Sequence, residues 1–282
     1  MWAALQWGSS RMAYTLMHLS DLHAGPPFDA VVAARIIREA HALRPDLVIV
    51  SGDFVQRADI GRQWQTIKRF LAELPEPRLY VAGNHDVPLF NPFKRLFDPL
   101  ATYKRELCAD LNPVFERPGL AVVGGCSAHG LTIDGGLLKA DQITAMQQAF
   151  ARQPAGTCRV AVLHHHLINP PGCEGRHIMQ KAEQVAQIFD QSEVDLMLCG
   201  HVHVSYLGTT LDVQPDLRRG TIICQCGTST SRRGKGRERG KYSYHVIEID
   251  EHAIRISQHL AVIGSGTFTR VSESLFPRWL RG

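Results

Sequence analysis

The 282-residue chain is 44% hydrophobic and 21% charged, with a formal net charge of +4. So mild an excess predicts no general affinity for nucleic acid, and no apolar run approaches the roughly 18 residues that a membrane span requires. Seven cysteines, without disulfide-framework spacing and several of them in apolar strand-like runs, fit a reducing, cytoplasmic compartment; Cys224 and Cys226 read as packing residues.

Residues 1–11 contain Trp2, Leu5 and Trp7 but neither the basic segment nor the long apolar core of a signal peptide, and read as an extension ahead of Met12. Tyr14 to Leu19 then predicts a buried strand ending in Ser20-Asp21-Leu22-His23. Asp29 to Leu43 follows with helical spacing at Val32, Ile36, Ala40 and Leu43. A second strand, Leu47 to Val50, ends in Ser51-Gly52-Asp53, and Ile60, Trp64, Ile67 and Leu71 mark a second amphipathic helix. Arg78 to Ala82 forms a third strand that delivers Gly83-Asn84-His85-Asp86, ahead of a segment punctuated by Pro88, Pro92 and Pro99.

Further strands are predicted at Leu120 to Gly124, Arg159 to Leu163 and Asp195 to Cys199, with helices at Ala140 to Arg152 and Ile178 to Asp190. Beyond residue 205 come short strands without long helices: Thr221 to Gln225, Lys241 to Ile249 and Ala253 to Leu260. The pattern predicts an α/β fold, a four-layer αββα sandwich with two mixed sheets. No Pro/Ser-rich or like-charge linker divides the chain, so residues 12–282 read as one domain. Within it, 262–282 is a C-terminal tail. Its apolar residues, among them Phe268, Leu275, Trp279 and Leu280, predict packing rather than disorder.

Functional groups in open α/β sheets collect at the carboxyl ends of strands. Five segments end that way here: Asp21-Leu22-His23, Gly52-Asp53, Gly83-Asn84-His85-Asp86, His164-His165-His166 and Gly200-His201-Val202-His203. The glycines permit sharp turns and close backbone approach. Carboxylate, amide oxygen and imidazole together suit Mn, Fe or Zn better than Ca, and the absence of clustered thiolates argues against a closed structural zinc site.

These five blocks, in this order, resemble the calcineurin-like metallophosphoesterase family over about residues 14 to 210, and most closely its bacterial branch that includes cyclic-nucleotide phosphodiesterases. The resemblance implies two metal ions. Asp21, His23, Asp53 and His203 would hold one, with Asp53 bridging to a second completed by Asn84, His165 and His201; the choice of His165 among the three consecutive histidines is the least fixed. Two such ions lie about 3.5–4 Å apart and use a bridging hydroxide as nucleophile. His85 resembles the histidine that protonates the leaving oxygen, with Asp86 placed to orient its imidazole. Arg57 resembles a phosphate-binding arginine, the alternative being a surface residue at a helix entry.

The implied activity is metal-dependent hydrolysis of a small-molecule phosphodiester, with a cyclic nucleotide as one candidate. A phosphomonoesterase is the nearest alternative. A nuclease is the other, gripping a nucleic-acid backbone through the 231–241 loop, which carries six basic residues against one acidic; the bland reading of that loop is a solvated turn. Residues 87–112 and 167–177 are expected to cap the cleft.

Overall fold

The structure, a computed structural model, describes residues 13–265 and 267–278; the expected N-terminal extension, and Trp279 and Leu280 of the tail, lie outside them. Strand β1 (Tyr14–Leu19) is apolar on both faces because it serves two cores. Leu16 points to the opposite sheet, while Met17 and Leu19 point to helices. Asp29 caps α1 (Ala30–Leu43) by accepting from the Val31 and Val32 N–H groups, an arrangement worth about 1 kcal/mol. All four residues of β2 (Leu47–Val50) are buried, Leu47 and Ile49 between the sheets and Val48 and Val50 under the helices. Helix α2 (Gly61–Ala72) buries Trp64, Ile67, Phe70 and Leu71, and β3 (Arg78–Tyr80) follows. That strand stops before the expected Ala82, although the Val81 N–H still donates to the Val50 carbonyl at 3.2 Å.

The proline-punctuated segment folds into two short helices that the sequence did not announce, α3 (Pro92–Phe97) and α4 (Ala101–Glu106). Asn91 caps the first through the Lys94 N–H, and Pro92 fits its opening turn, where no amide donor is needed. There follow β4 (Val114–Arg117), β5 (Leu120–Gly124), α5 (Ala140–Ala151), β6 (Cys158–Val162), α6 (Ala182–Gln191), β7 (Leu196–Cys199), β8 (Tyr206–Thr209) and β9 (Ile222–Gln225). The chain ends with β10 (Lys241–Ile249), β11 (Ala253–Val262) and β12 (Thr269–Pro277). Helix α6 begins later than Ile178, because Met179 and Gln180 donate instead to the carbonyls of His166 and Gly136. In the tail, β12 pairs antiparallel with β11.

Two six-stranded sheets result, ordered β12-β11-β10-β1-β2-β3 and β4-β5-β6-β7-β9-β8. Each is mixed: β1, β2 and β3 run parallel beside antiparallel β10 to β12, and β5, β6, β7 and β9 run parallel between antiparallel β4 and β8. One apolar cluster lies between the sheets. A second joins the first sheet to α1 and α2, and a third joins the second sheet to α5 and α6. Four layers follow, α, β, β and α, as the sequence predicted.

The layers bring the carboxyl ends of β1, β2 and β3 from one sheet against those of β6 and β7 from the other. A small-residue segment after β9 ties the rim together. Thr228 and Thr230 donate their hydroxyls to the carbonyls of Asp21 and Leu22 at 2.7 and 2.8 Å, and the Ser229 N–H donates to the Ser20 carbonyl at 2.9 Å.

Candidate metal centre

Two groups of ligand-type side chains meet at this rim. The first comprises Asp21, His23, Asp53 and His203, all buried. His203 Nε2 lies 3.0 Å from Asp21 Oδ1 and 2.9 Å from His23 Nε2, and His23 Nε2 lies 3.6 Å from Asp53 Oδ2. His203 Nδ1 is 3.0 Å from the Arg233 carbonyl. A carbonyl can only accept, so Nδ1 carries the proton and Nε2 presents a lone pair to the cluster. Asp21 Oδ2 accepts from Ser20 Oγ and from the His201 N–H, whereas its buried Oδ1 has no hydrogen-bond donor among the described residues.

The second group forms around the other oxygen of Asp53. Asp53 Oδ1 lies 3.4 Å from His164 Nε2, and Asn84 Oδ1 lies 3.1 Å from both His164 Nε2 and His201 Nδ1. His164 Nδ1 is committed to the Ser51 carbonyl at 2.7 Å, and the Asn84 amide donates to the Ile133 carbonyl at 2.9 Å, so that its oxygen faces inward. In both pockets ring nitrogens and carboxylate or amide oxygens crowd together, at 2.9 to 3.6 Å. Such a set repels itself unless a cation sits within it, and the residues therefore fit a metal pair sharing Asp53.

In the histidine triplet, where His165 was the expected ligand, His164 Nε2 is the ring nitrogen facing Asp53 and Asn84, and His164, His165 and His201 together form a group able to hold an ion. His165 turns instead toward Ser127, whose hydroxyl lies 2.8 Å from its Nδ1. Its Nε2 is buried without a partner among the described residues, though the ring stays within reach of His164 and His201. His166 Nε2 bonds Asn169 at 2.9 Å. Asp86, expected to orient the His85 ring, makes its hydrogen bonds elsewhere among the described residues. Its carboxylate accepts from the N–H groups of Phe54, Val55 and Gly83 at 2.9, 3.2 and 2.8 Å and so pins the second and third loops together. Burial and the Asp53 charge push its pKa up to about 8, against the pull of the Gly83 and Val55 donors.

His85 is oriented by other partners. Its N–H donates to Asp53 Oδ1 at 2.9 Å, and its Nδ1 lies 2.9 Å from the Gln56 carbonyl. Arg57 Nη1 lies 3.0 Å from Nδ1, and Arg233 Nη1 lies 3.3 Å from Nε2. Arg57 is thus drawn into the centre, and Arg233 emerges as a site residue whose basic loop gave no hint of its direction. The loop divides in function: Arg232 turns outward to pair with Asp29 at 3.1 Å, while Arg233 turns inward and donates to Gln56 Oε1 at 2.9 Å. The sequence signal that would have pointed to this loop is the run Gly227-Thr228-Ser229-Thr230-Ser231 at a strand end.

Charge states follow from these contacts. Burial acts to raise the Asp53 pKa, but His164, His85 and His23 outweigh it and hold it at about 2. Burial likewise opposes ionisation of Asp21, yet His203 keeps its pKa well below the usual carboxylate range. Burial lowers His23 to about 3 and lowers His201 further below its ordinary value. His164 runs the other way: burial lowers its pKa, but Asp53 and Asp21 raise it more.

The backbone carries a signature that no motif shows. Asp21, His23, Asp53, His201 and His203 all sit at positive φ, between 48° and 78°, in the left-handed region that non-glycine residues rarely adopt. Gly83 and Gly200 are needed for another reason, since a Cβ there would strike the Asp53 and Asp21 carboxylates.

Residues 14–205 match the model of the calcineurin-like phosphoesterase family, and the chain belongs to that family. Among its relatives, a probable cyclic nucleotide phosphodiesterase from Synechococcus sp. is 24% identical over 210 residues, covering 70% of this chain and 76% of that protein. The UDP-2,3-diacylglucosamine pyrophosphatase LpxG of Chlamydia trachomatis is 26% identical over 132 residues, or 38% of this chain and 40% of its own. Purple acid phosphatase PPD1 from yellow lupin seeds shares the fold at a TM-score of 0.70 with 12% identity; the match covers 95% of this chain but only 54% of the lupin chain. Among the described residues no helix is long and apolar enough to cross a membrane.

Proposed function

We propose that the protein is a dinuclear-metal phosphoesterase acting on a phosphodiester, with a cyclic nucleotide as one candidate substrate. The observation that carries this reading is the sharing of Asp53 between two acceptor-lined pockets, with His85 standing beside them between Arg57 and Arg233. In this reading Asp21, His23, Asp53 and His203 hold one ion, and Asp53, Asn84, His164 and His201 hold the other. The ligand set accepts Mn, Fe or Zn. Bound ions of this kind supply electrophilic charge to a phosphoryl group and the acidity that makes water a nucleophile at neutral pH.

The chain's own residues do the rest. Arg57 and Arg233 reach the two ring nitrogens of His85 and offer two guanidinium groups to the non-bridging oxygens of a phosphoryl group. The Gln56 carbonyl fixes the Nδ1 proton of His85, leaving Nε2 to exchange a proton with the leaving oxygen. Burial lowers the His85 pKa, Asp53 and the Gln56 carbonyl raise it, and Arg233 and Arg57 lower it again; the balance falls below the ordinary value. A phosphate drawn between the two arginines neutralises them. It thereby restores the proton that His85 needs as general acid. The diester preference is supported by the Synechococcus relative, and a cytoplasmic setting is supported by seven free cysteines.

A panel of a monoester, an acyclic diester, a cyclic nucleotide and single-stranded DNA, each with Mn, Fe, Zn or Mg, tests the reading. A diester should show the highest kcat/KM. A monoester turned over much faster would overturn the diester claim. Binding to DNA that falls steeply with ionic strength would favour a nuclease instead.

A further inference from the structure

Beside the metal centre lies an apolar surface that the chemistry described so far does not use. Phe90, Phe93 and Phe97, on and just before α3, are 68, 76 and 78% exposed, and Leu131 of the facing loop is 80% exposed. Helix α3 buries none of its side chains. The two segments are fastened to each other by Arg95, whose guanidinium donates to the carbonyls of Pro88 and Thr132. They are fastened to the centre as well: the Ile133 carbonyl accepts from the Asn84 amide at 2.9 Å, and Asp134 lies 3.5 Å from His201. So many large apolar side chains, exposed on segments fastened to each other and to the centre, exceed the scattered exposure of an ordinary surface.

A cavity connects this surface to the phosphate end of the centre. It measures about 490 Å³ and is lined by Gln56 and Arg57, by the apolar Phe28, Ile60 and Phe90, and by Arg62, Gln63 and Thr66. The cavity therefore places the Arg57 guanidinium, which contacts His85, in one space with the ring of Phe90 beside α3. That is the polarity of an amphiphile whose anionic end is a phosphoryl group. We propose that the ester this centre takes carries a long hydrocarbon arm, which leaves the phosphoryl group past Arg57, fills the cavity and lies on Phe90, Phe93 and Phe97. The proposal deepens the phosphoesterase reading and rests on it for the position of the phosphoryl group.

Binding of alkyl phosphates tests the arm independently of turnover. Methyl, hexyl and decyl phosphate, each below its critical micelle concentration, are titrated calorimetrically into the protein as purified, with inorganic phosphate as reference. A fully buried methylene tightens binding by up to about fourfold, so Kd should fall on the order of 30-fold or more from methyl to decyl phosphate. Phe93→Asp combined with Phe97→Asp, and separately Phe90→Asp, should remove most of that gain; these side chains are exposed, and thermal melts check that the variants remain folded. A Kd independent of chain length overturns the proposal, as does a gain that survives both variants. Chain-length-dependent binding without hydrolysis of any ester would instead count against the phosphoesterase reading and leave the hydrocarbon site standing. Should light scattering show a dimer that the double variant dissociates, with no chain-length dependence, the surface belongs to a second copy of the chain and the proposal fails.

Discussion

The two pockets share one carboxylate and differ in almost everything else. The first adds a second carboxylate, Asp21, and is closed in, with all four side chains buried. The second adds a neutral amide and imidazoles, and its His201 faces the half-exposed Asp134. Two carboxylates in a dry pocket attract a cation strongly, whereas the second pocket, among the described residues, draws on Asp53 as its one directly facing buried carboxylate. The difference teaches that the pair is unequal by construction: the first ion should be resident and the second exchangeable, with Asp53 the hinge of both.

The largest effect should come from Asp53 itself. Asp53→Ala is expected to empty both pockets and abolish activity, while His23→Ala weakens mainly the first; metal analysis of purified variants reads this directly. A variant at Asp53 that still holds one ion tightly would break the idea of a shared hinge. Next in size is His85→Ala, expected to slow an alkyl diester by about 10²–10⁴-fold. A nitrophenyl diester, whose leaving group departs as an anion, should slow far less, with metal content unchanged. Equal slowing of both esters would reassign His85 to positioning.

Adjacent histidines sharpen the comparison further. His164→Ala should weaken the second ion on the order of 100-fold, and His165→Ala, if its imidazole only supports the pocket, by about tenfold. The reverse order in competition titrations would restore His165 as the ligand. Smallest, and graded, is the response to pH. His164 has a raised pKa in the metal-free protein, so protons compete with the second ion as pH falls, whereas Asp53 at about 2 stays ionised through the same range. The second ion should therefore leave first on mild acidification. Stability of the metal-free protein should fall as well. His23 and His245 are held at about 3, against about 6.5 when unfolded. Below about pH 6.5 the unfolded chain takes up protons that the folded chain refuses, and stability is lost progressively toward pH 3. A flat unfolding profile from pH 7 to 4 would contradict these shifts.

Much of this was legible in the sequence, because periodicity and strand-end glycines report on backbone geometry. The strands that carry Asp21, Asp53, Asn84 and His201, the four layers, and the convergence of five blocks on one rim all follow from local patterns. What was not legible depends on contacts made across the chain. Neighbouring residues in a turn have no period, so nothing local separates His164 from His165. Asp86 looked like a partner for the imidazole beside it in sequence, yet three backbone donors from two loops claim its carboxylate first. Arg233 turns inward only because Gln56 and His203 receive its side chain and its carbonyl. The edge strands β4, β8 and β12 are half-exposed or exposed and carry weak alternation, and only their neighbours define them.

The left-handed backbone at Asp21, His23, Asp53, His201 and His203 has a consequence for how this chain tolerates change. A non-glycine residue in such a region costs about 1–3 kcal/mol, so at each of these five positions the fold by itself would be better served by glycine. Random substitution under selection for stability alone would erode the centre before it eroded the core. The side chains stand there against the fold's own preference, and an ion that bound only the folded chain would offset the cost. Thermal resilience and catalytic competence are therefore opposed in the metal-free chain and aligned in the loaded one.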